Sequence, residues 1–288
     1  MLANERHTRI LEELERRGSV RVSHLVRLLG VSDMTIRRDL DNLRRLGLLE
    51  KVHGGATLLK VGSTDEPGFA AKSARELREK EAIAARAATL VQPGSAVAIT
   101  AGTTTHALAR HLTGVPDLTI VTNSVWVADV LQTSGRPDVT VLLTGGLRTP
   151  SDALVGPIAA EALRSLHVDV VFMGVHGMDP KAGFTTPNLM EAETNRAMVA
   201  SARRLVVLAD STKWGVLGLS TIVPLSAASI VVTDSGLPAE AREVLEEQVE
   251  ELITVEVEAP GGAGSDAGSD AGSEAGSDPA GLEGTLVD

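Results

Sequence analysis

The sequence predicts an α/β protein in two parts: a small winged helix-turn-helix head, then a larger domain on a mostly parallel sheet. Helical apolar spacing dominates residues 1–57, and short apolar runs alternate with helical patterns across residues 75–258. Residues 58–74, with Gly62, Pro67 and Gly68, read as a linker. In residues 259–288 an Ala-Gly-Ser-Asp pattern recurs with almost no apolar content and no basic residue. Such a segment buries too little surface to offset its ordering entropy, so it reads as a disordered acidic tail.

Composition narrows the classes. Hydrophobic residues make up 43% of the 288, but aromatics only 2%, so Val, Leu, Ile and Ala must fill the core. The absence of Cys excludes a disulfide framework and a thiolate zinc site, and fits a reducing, cytoplasmic setting. No metal or cofactor is expected. No apolar run nears the roughly 18 residues of a membrane span, and Met1–His7 lacks the apolar segment of a signal peptide. The net charge of −11 is uneven: residues 1–60 hold 12 Lys+Arg against 8 Asp+Glu, and the rest hold 15 against 30. A basic head on an acidic body is a mild sign of a nucleic-acid module.

In the head, a first helix is expected over Arg6–Arg17, with Ile10, Leu11 and Leu14 inward. Val22, Leu25, Val26 and Leu29 follow at i, i+3, i+4, i+7, and Gly30 ends that second helix. Ser32 stands where an N-cap belongs, opening a third helix to about Leu46. Helix, short Gly turn, helix is the helix-turn-helix pattern. On the third helix Ile36, Leu40 and Leu43 share the core stripe. Met34, Arg38, Asp41 and Arg45 point away, flanked by Thr35 and Arg37. Thr35, Arg37 and Arg38, near the helix N-terminus, are candidates for the major groove. The plainer reading is a solvated charged face in which Asp39 and Asp41 answer the arginines. Leu48–Leu59 reads as a hairpin turning at Gly54-Gly55, a wing whose Lys51, His53 and Gly54 lie within reach of DNA; His53 reads equally as a surface histidine.

In the second part, the expected strands are 96–99, 118–121, 139–143, 168–173, 205–208 and 229–232. Polar loops follow them: Ala101-Gly102-Thr103-Thr104-Thr105, Thr122-Asn123-Ser124, Thr144-Gly145-Gly146, Gly174-Val175-His176-Gly177 and Asp210-Ser211-Thr212-Lys213. Open parallel sheets bind ligands outside the carboxyl ends of their strands. The loops are therefore expected to converge on one face. A Gly-Thr loop entering a helix offers backbone N–H groups, hydroxyls and a positive helix end to an anion, although ordinary capping explains it too.

Gly-Val-Ser-Asp-Met-Thr-Ile-Arg-Arg-Asp-Leu (30–40) with His-Gly-Gly-Ala (53–56) closely resembles the DeoR family of sugar-catabolism repressors. The likeness continues from about 77 to 257, in Ala-Gly-Thr-Thr-Thr (101–105), Thr-Asn-Ser (122–124), Thr-Gly-Gly (144–146), Gly-Phe-Thr-Thr-Pro-Asn (183–188), Glu191 and Asp-Ser-Thr-Lys (210–213). The resemblance implies a sensor domain similar to ribose-5-phosphate isomerase, a phosphorylated sugar as effector, a double-stranded DNA operator, and a homo-oligomer, dimer or tetramer. From helix angle and wing position, the candidate DNA contacts are Ser32, Thr35, Arg37, Arg38, Arg45, Lys51, His53 and Gly54. The candidate effector contacts are Gly102, Thr103, Thr104, Thr105, Asn123, Gly145, Gly146, His176, Glu191 and Lys213, of which the resemblance implies Thr103, Thr104, Glu191 and Lys213, with Glu193 an alternative to Glu191. Two departures stand out: Ala101 where relatives usually have Ser, and His176 where they often have an acid. His176 has a structural reading beside the ligand one. The alternative function is a sugar-phosphate isomerase with an accessory head, but the acidic cluster such catalysis needs is reduced to Asp179. A ligand-free architectural DNA-binding protein is the third reading.

Overall fold

The computed structural model describes residues 2–45, 47–57, 64, 66, 68–73 and 75–257. The tail read as disordered, most of the linker, and the expected helix end at Leu46 lie outside these residues.

The head opens with α1 (Ala3–Arg17), three residues earlier than its apolar spacing suggested. It stops at Gly18, whose left-handed backbone turns its N–H onto the Leu14 carbonyl at 2.7 Å. A short strand β1 (Ser19–Arg21) leads into α2 (Val22–Leu29), which Gly30 ends in the same way. Next come α3 (Asp33–Arg45) and the hairpin β2 (Glu50–Val52) and β3 (Gly55–Thr57). Ile36, Leu40 and Leu43 close a core with Ile10, Leu14, Leu25 and Leu48.

The wing differs from expectation in two respects. Its turn residues are His53 and Gly54, one position early, because Gly55 already pairs as strand. And β1 adds a third, antiparallel strand beside β3. That pairing explains Gly55: a Cβ there would stand 2.0 Å from the Val20 carbonyl oxygen, whereas one on Gly54 (φ +76°) meets nothing within 4 Å. Gly55→Ala should cost the head about 3 kcal/mol through forced backbone displacement. Gly54→Ala should cost only about 1–2 kcal/mol of left-handed strain. Urea unfolding of the two variants checks this, and equal losses would refute the close-approach argument.

A short helix α4 (Phe69–Ser73) and a longer α5 (Leu77–Ala88) precede the sheet. The second domain then runs β4 (Ala96–Ile99), α6 (Thr103–Leu112), β5 (Thr119–Thr122), α7 (Val125–Thr133), β6 (Thr140–Leu143), a small hairpin β7 (Leu147–Arg148) and β8 (Leu154–Val155), α8 (Pro157–Leu163) and β9 (Val170–Gly174). It continues with β10 (Gly177–Asp179), β11 (Gly183–Thr186), α9 (Leu189–Ala200), β12 (Leu205–Leu208), β13 (Ser220–Val223), β14 (Ile230–Asp234), α10 (Ala239–Gln248) and β15 (Glu251–Val255).

Among the described residues seven strands form one parallel sheet in the order β15-β14-β12-β9-β4-β5-β6. Its central strands are buried on both faces, which is why they read as unbroken apolar runs. Alternate residues go to opposite layers. Val170 and Phe172 of β9 pack with Ile83, Leu108 and Val127 of α5, α6 and α7. Val171 and Met173 pack with Ala192 and Met198 of α9 and with Leu245 of α10. The order also fixes where a ligand can enter. From β4 the chain runs outward to β5 and β6, then returns to place β9 on the other side of β4. The crevice opens where strand order reverses, between β4 and β9. A small antiparallel sheet, β10-β11-β13, stands beside that opening.

Candidate DNA-binding face and effector cavity

The exposed side of α3 is built from its N-terminus. Ser32 caps it: the Thr35 N–H donates to Ser32 Oγ at 3.1 Å, and the two hydroxyls meet at 2.8 Å. Met34, Arg37, Arg38 and Arg45 are exposed, as are His53 and Gly54 at the wing tip. Arg37 donates to Asp33 one turn back, Arg45 donates to Asn42, and Lys51 of the wing reaches Asp41 at 2.7 Å. Arg38 forms no ion pair among the described residues. One expectation needs correcting: Asp39 does not answer the surface arginines. It is 3% exposed, on the core side of α3, and accepts from Arg6 Nε at 2.7 Å, Arg6 Nη2 at 2.9 Å and His7 Nε2 at 3.1 Å. It therefore locks α1 to α3. Burial alone would raise its pKa, but these partners outweigh burial and hold it below the usual carboxylate range.

A cavity of about 450 Å³ lies at the carboxyl ends of β4, β9 and β12. Its first wall is Ala101, Gly102, Thr103 and Thr104, entering α6. The N-cap of α6 is Gly102, which has no side chain to cap the helix, so the N–H groups of its first turn face the cavity without a cap from that residue. Its second wall, Gly174 to His176, is tied to the first because Gly174 N–H donates to Thr100 Oγ1 at 3.1 Å. Thr212 and Lys213 come from a 3-10 turn after β12, anchored by the Ser211 N–H donating to Asp234 at 2.6 Å. Thr186 and Glu191 complete the far side; the Thr186 hydroxyl donates to Glu191 Oε2 at 3.1 Å. Asn188 caps α9 and so fixes Glu191, whose N–H it accepts at 3.2 Å.

Burial raises the Glu191 pKa against the opposing pull of Lys72. His176 is pushed down to about 4 by burial and by the nearby Lys72 and Lys213 charges, so it is neutral at neutral pH. Its Nε2 is buried with no hydrogen-bond partner among the described residues.

The cavity thus gathers Gly102, Thr103, Thr104, His176, Glu191 and Lys213 from the expected effector set, and Glu191 rather than Glu193. The other four lie outside its lining. Thr105 is fully buried and donates to the Gly102 carbonyl at 3.0 Å. Asn123 is buried behind the loop, accepting from Ala101 N–H at 2.8 Å and donating to the Leu154 carbonyl at 3.1 Å, so it shapes the loop from outside. Gly145 and Gly146 follow the edge strand β6, away from the switch point. A Cβ on Gly146 would stand 2.5 Å from the Val155 carbonyl, which explains glycine there by packing. The loops after β4, β9 and β12 line the cavity, whereas those after β5 and β6 share the same edge of the parallel sheet but lie outside the lining.

Sequence reasoning missed the cavity's other cations. Lys72, Arg75 and Lys80 line it, together with Leu11 and Leu48 of the head. Lys80 is 5% exposed and donates to the Lys72 carbonyl at 2.7 Å and to that of Arg75. Burial pushes its pKa down to about 8, against the pull of Asp210. A signal existed: Lys80 stands in helical register with buried Ile83, Ala84 and Ala87, a lysine in an apolar stripe. Asp179, the residue left for an isomerase, closes the β10–β11 turn instead, accepting from Lys181 and Ala182 N–H groups at 2.8 Å each.

A family model described as a DeoR-like helix-turn-helix domain matches residues 6–61, and one described as a DeoR C terminal sensor domain matches residues 75–235. The HTH-type transcriptional regulator GolR of Listeria innocua is 36% identical over 236 residues, covering 82% of this chain and 92% of that protein. The HTH-type transcriptional repressor CsqR of Escherichia coli K12 is 30% identical over 260 residues, covering 90% and 98%. Ribose 5-phosphate isomerase A from Neisseria gonorrhoeae aligns with a TM-score of 0.36 and 15% identity over 49% of this chain and 54% of that one, a level that carries no argument. These relatives are transcriptional regulators matched over nearly their whole length, which does not favour the isomerase alternative. By the two family matches and these full-length relatives, the chain belongs to the DeoR family of DNA-binding transcriptional regulators.

Proposed function

We propose that this regulator represses a sugar-catabolism operon and that a phosphorylated sugar in the cavity controls its grip on operator DNA. The observation that carries the reading is the cavity at the β4/β9 switch point, where a helix N-terminus with Thr103 and Thr104 shares the lining with Lys72, Arg75, Lys80 and Lys213. Phosphate suits the N–H groups, hydroxyls and positive charge. Glu191 and the neutral His176 suit sugar hydroxyls. The relative CsqR is a transcriptional repressor. The protein acts in the cytoplasm, where operator DNA is, and as a homo-oligomer, because helix-turn-helix heads read paired half-sites. No described helix is long and apolar enough to cross a membrane. Light scattering that finds only monomers, with and without DNA, would remove the oligomer.

The test is thermal unfolding of the full chain against a panel of sugar phosphates, their free sugars and inorganic phosphate. A rise with one phosphate and none with its free sugar supports the reading. No rise with any of them sinks the sugar-phosphate part.

On the DNA side, Ser32 and Thr35 serve the helix cap and the phosphate backbone, Arg38 reads the groove, Arg37 and Arg45 flank it, and Lys51, His53 and Gly54 act from the wing. Arg38→Ala should weaken operator binding by about 1–3 kcal/mol, roughly 5- to 150-fold. Arg37→Ala should cost less, because Arg37 must leave Asp33 before it can contact DNA. Fluorescence anisotropy over a salt series checks both; affinity should fall steeply with salt.

A further inference from the structure

We propose that Lys72 binds the effector and that its helix, α4, carries the effector's arrival from the cavity to the DNA-binding head. This rests on reading the cavity as an anion site.

Helix α4 spans five residues and touches three environments. Lys72 lines the cavity. Its neighbour Ala71 is 3% exposed and packs in the head's core with Ile10, Leu14 and Leu48. Phe69 packs on the sensor, edge-on to the His106 ring at 5.5 Å and stacked on the Trp126 ring at 5.2 Å. Lys72 and Ala71 are adjacent in α4, so any displacement of this helix on ligand binding moves both together. The head meets the same cavity through Leu11 and Leu48, and Arg75 donates to the Leu48 carbonyl across 3.4 Å, a long bond that a small shift would break.

The charges supply the force. Lys72 and Lys213 repel each other across the cavity, while Glu191 and Glu66 attract Lys72. Glu66 is held in place, accepting from the Ser151 hydroxyl at 2.5 Å and the Asn188 amide at 2.9 Å. A phosphate dianion between the two ammonium groups turns their repulsion into shared attraction and pulls α4 toward the sensor. Lys80, bonded to two carbonyls of the segment, makes it move as one piece. Ligand binding then favours one placement of the head over another, which is what coupling to DNA requires.

The chain has two tryptophans, Trp126 and Trp214, and Trp126 stacks on Phe69. In a Trp214→Phe background the emission of Trp126 therefore reports on α4. The probes are inorganic phosphate, ribose 5-phosphate and fructose 6-phosphate, titrated against the full chain with both emission and melting temperature read. Emission should change on binding. Adding Lys72→Met should weaken binding at least tenfold and abolish the emission change even at saturation, and Lys72→Arg should restore part of both. Lys72→Gln is the second neutral variant, should the Met variant fold poorly. Neutral variants that bind and shift emission as the parent does, or that show the full emission change once saturated, would overturn the role of Lys72. If no probe raises the parent's melting temperature, the anion reading itself fails and takes this inference with it.

Discussion

Asp39→Ala is expected to destabilise the head by about 3 kcal/mol and to abolish operator binding while leaving the sensor domain folded. Asp39 is nearly inaccessible and is the common acceptor for Arg6 and His7 of α1. Arg6 is itself mostly buried, with its side chain 12% exposed. Removing the carboxylate leaves a guanidinium largely out of water without its strongest partner, and breaking a buried pair costs more than the pair contributes when intact. The head has a small core, so a loss of this size removes most of its stability. Unfolding followed by calorimetry should show a low-temperature transition moving down while the transition of the sheet domain stays. A single transition shifted by less than about 1 kcal/mol would mean that Asp39 is not the lock described. The same pair predicts the acid behaviour. The folded pKa of Asp39 lies below its unfolded value of about 3.9, so its stabilisation is complete above that pH and is lost as pH falls through the folded pKa. The wild-type head should therefore weaken below about pH 4, and the Asp39→Ala head should lack that part of the acid dependence.

Asp39 also marks where the sequence was legible and how it was misread. It lies three residues after Ile36 and four before Leu43, so helical spacing alone puts it on the core face. Its charge drew it to the surface arginines instead. Lys80 repeats the lesson on α5. The elements themselves were plain: the apolar runs at 96–99 and 205–208 are strands with those same ends, and Gly30 stops α2 where a left-handed residue was needed. Strand order was not legible, because which strand lies beside β4 depends on contacts far apart in sequence. Without that order, Asn123 and Gly145–Gly146 looked equivalent to Thr103 and Thr104, since all follow strands. The order β9-β4-β5-β6 separates them; β1 and β15 were missed for another reason, since each forms only through pairing with a distant segment.

Lys213→Ala is expected to lower affinity for the sugar phosphate by about 10- to 150-fold, the worth of one charge-assisted hydrogen bond of roughly 1.5–3 kcal/mol. Lys213 sits on the turn after β12, across the cavity from the first turn of α6, and points a compact charge at the same space. The loss has a second component. Lys213 Nζ lies 3.6 Å from Oδ2 of Asp210, a fully buried carboxylate whose other oxygen accepts from Thr212. Truncation leaves that charge with less compensation, so the ligand-free variant should also melt lower. The two effects separate by measurement. Calorimetric titration with the phosphate that most raises the melting temperature gives the affinity, and thermal unfolding without ligand gives the cost to the fold. Salt distinguishes them further: wild-type affinity should fall as ionic strength rises, and the variant's should fall less, because one of the cations facing the anion is gone. An affinity drop with an unchanged salt dependence would mean that Lys213 supports the turn and not the anion. Unchanged affinity would leave the phosphate to the α6 N-terminus and the cations of α4 and α5, and Lys213 to the burial of Asp210.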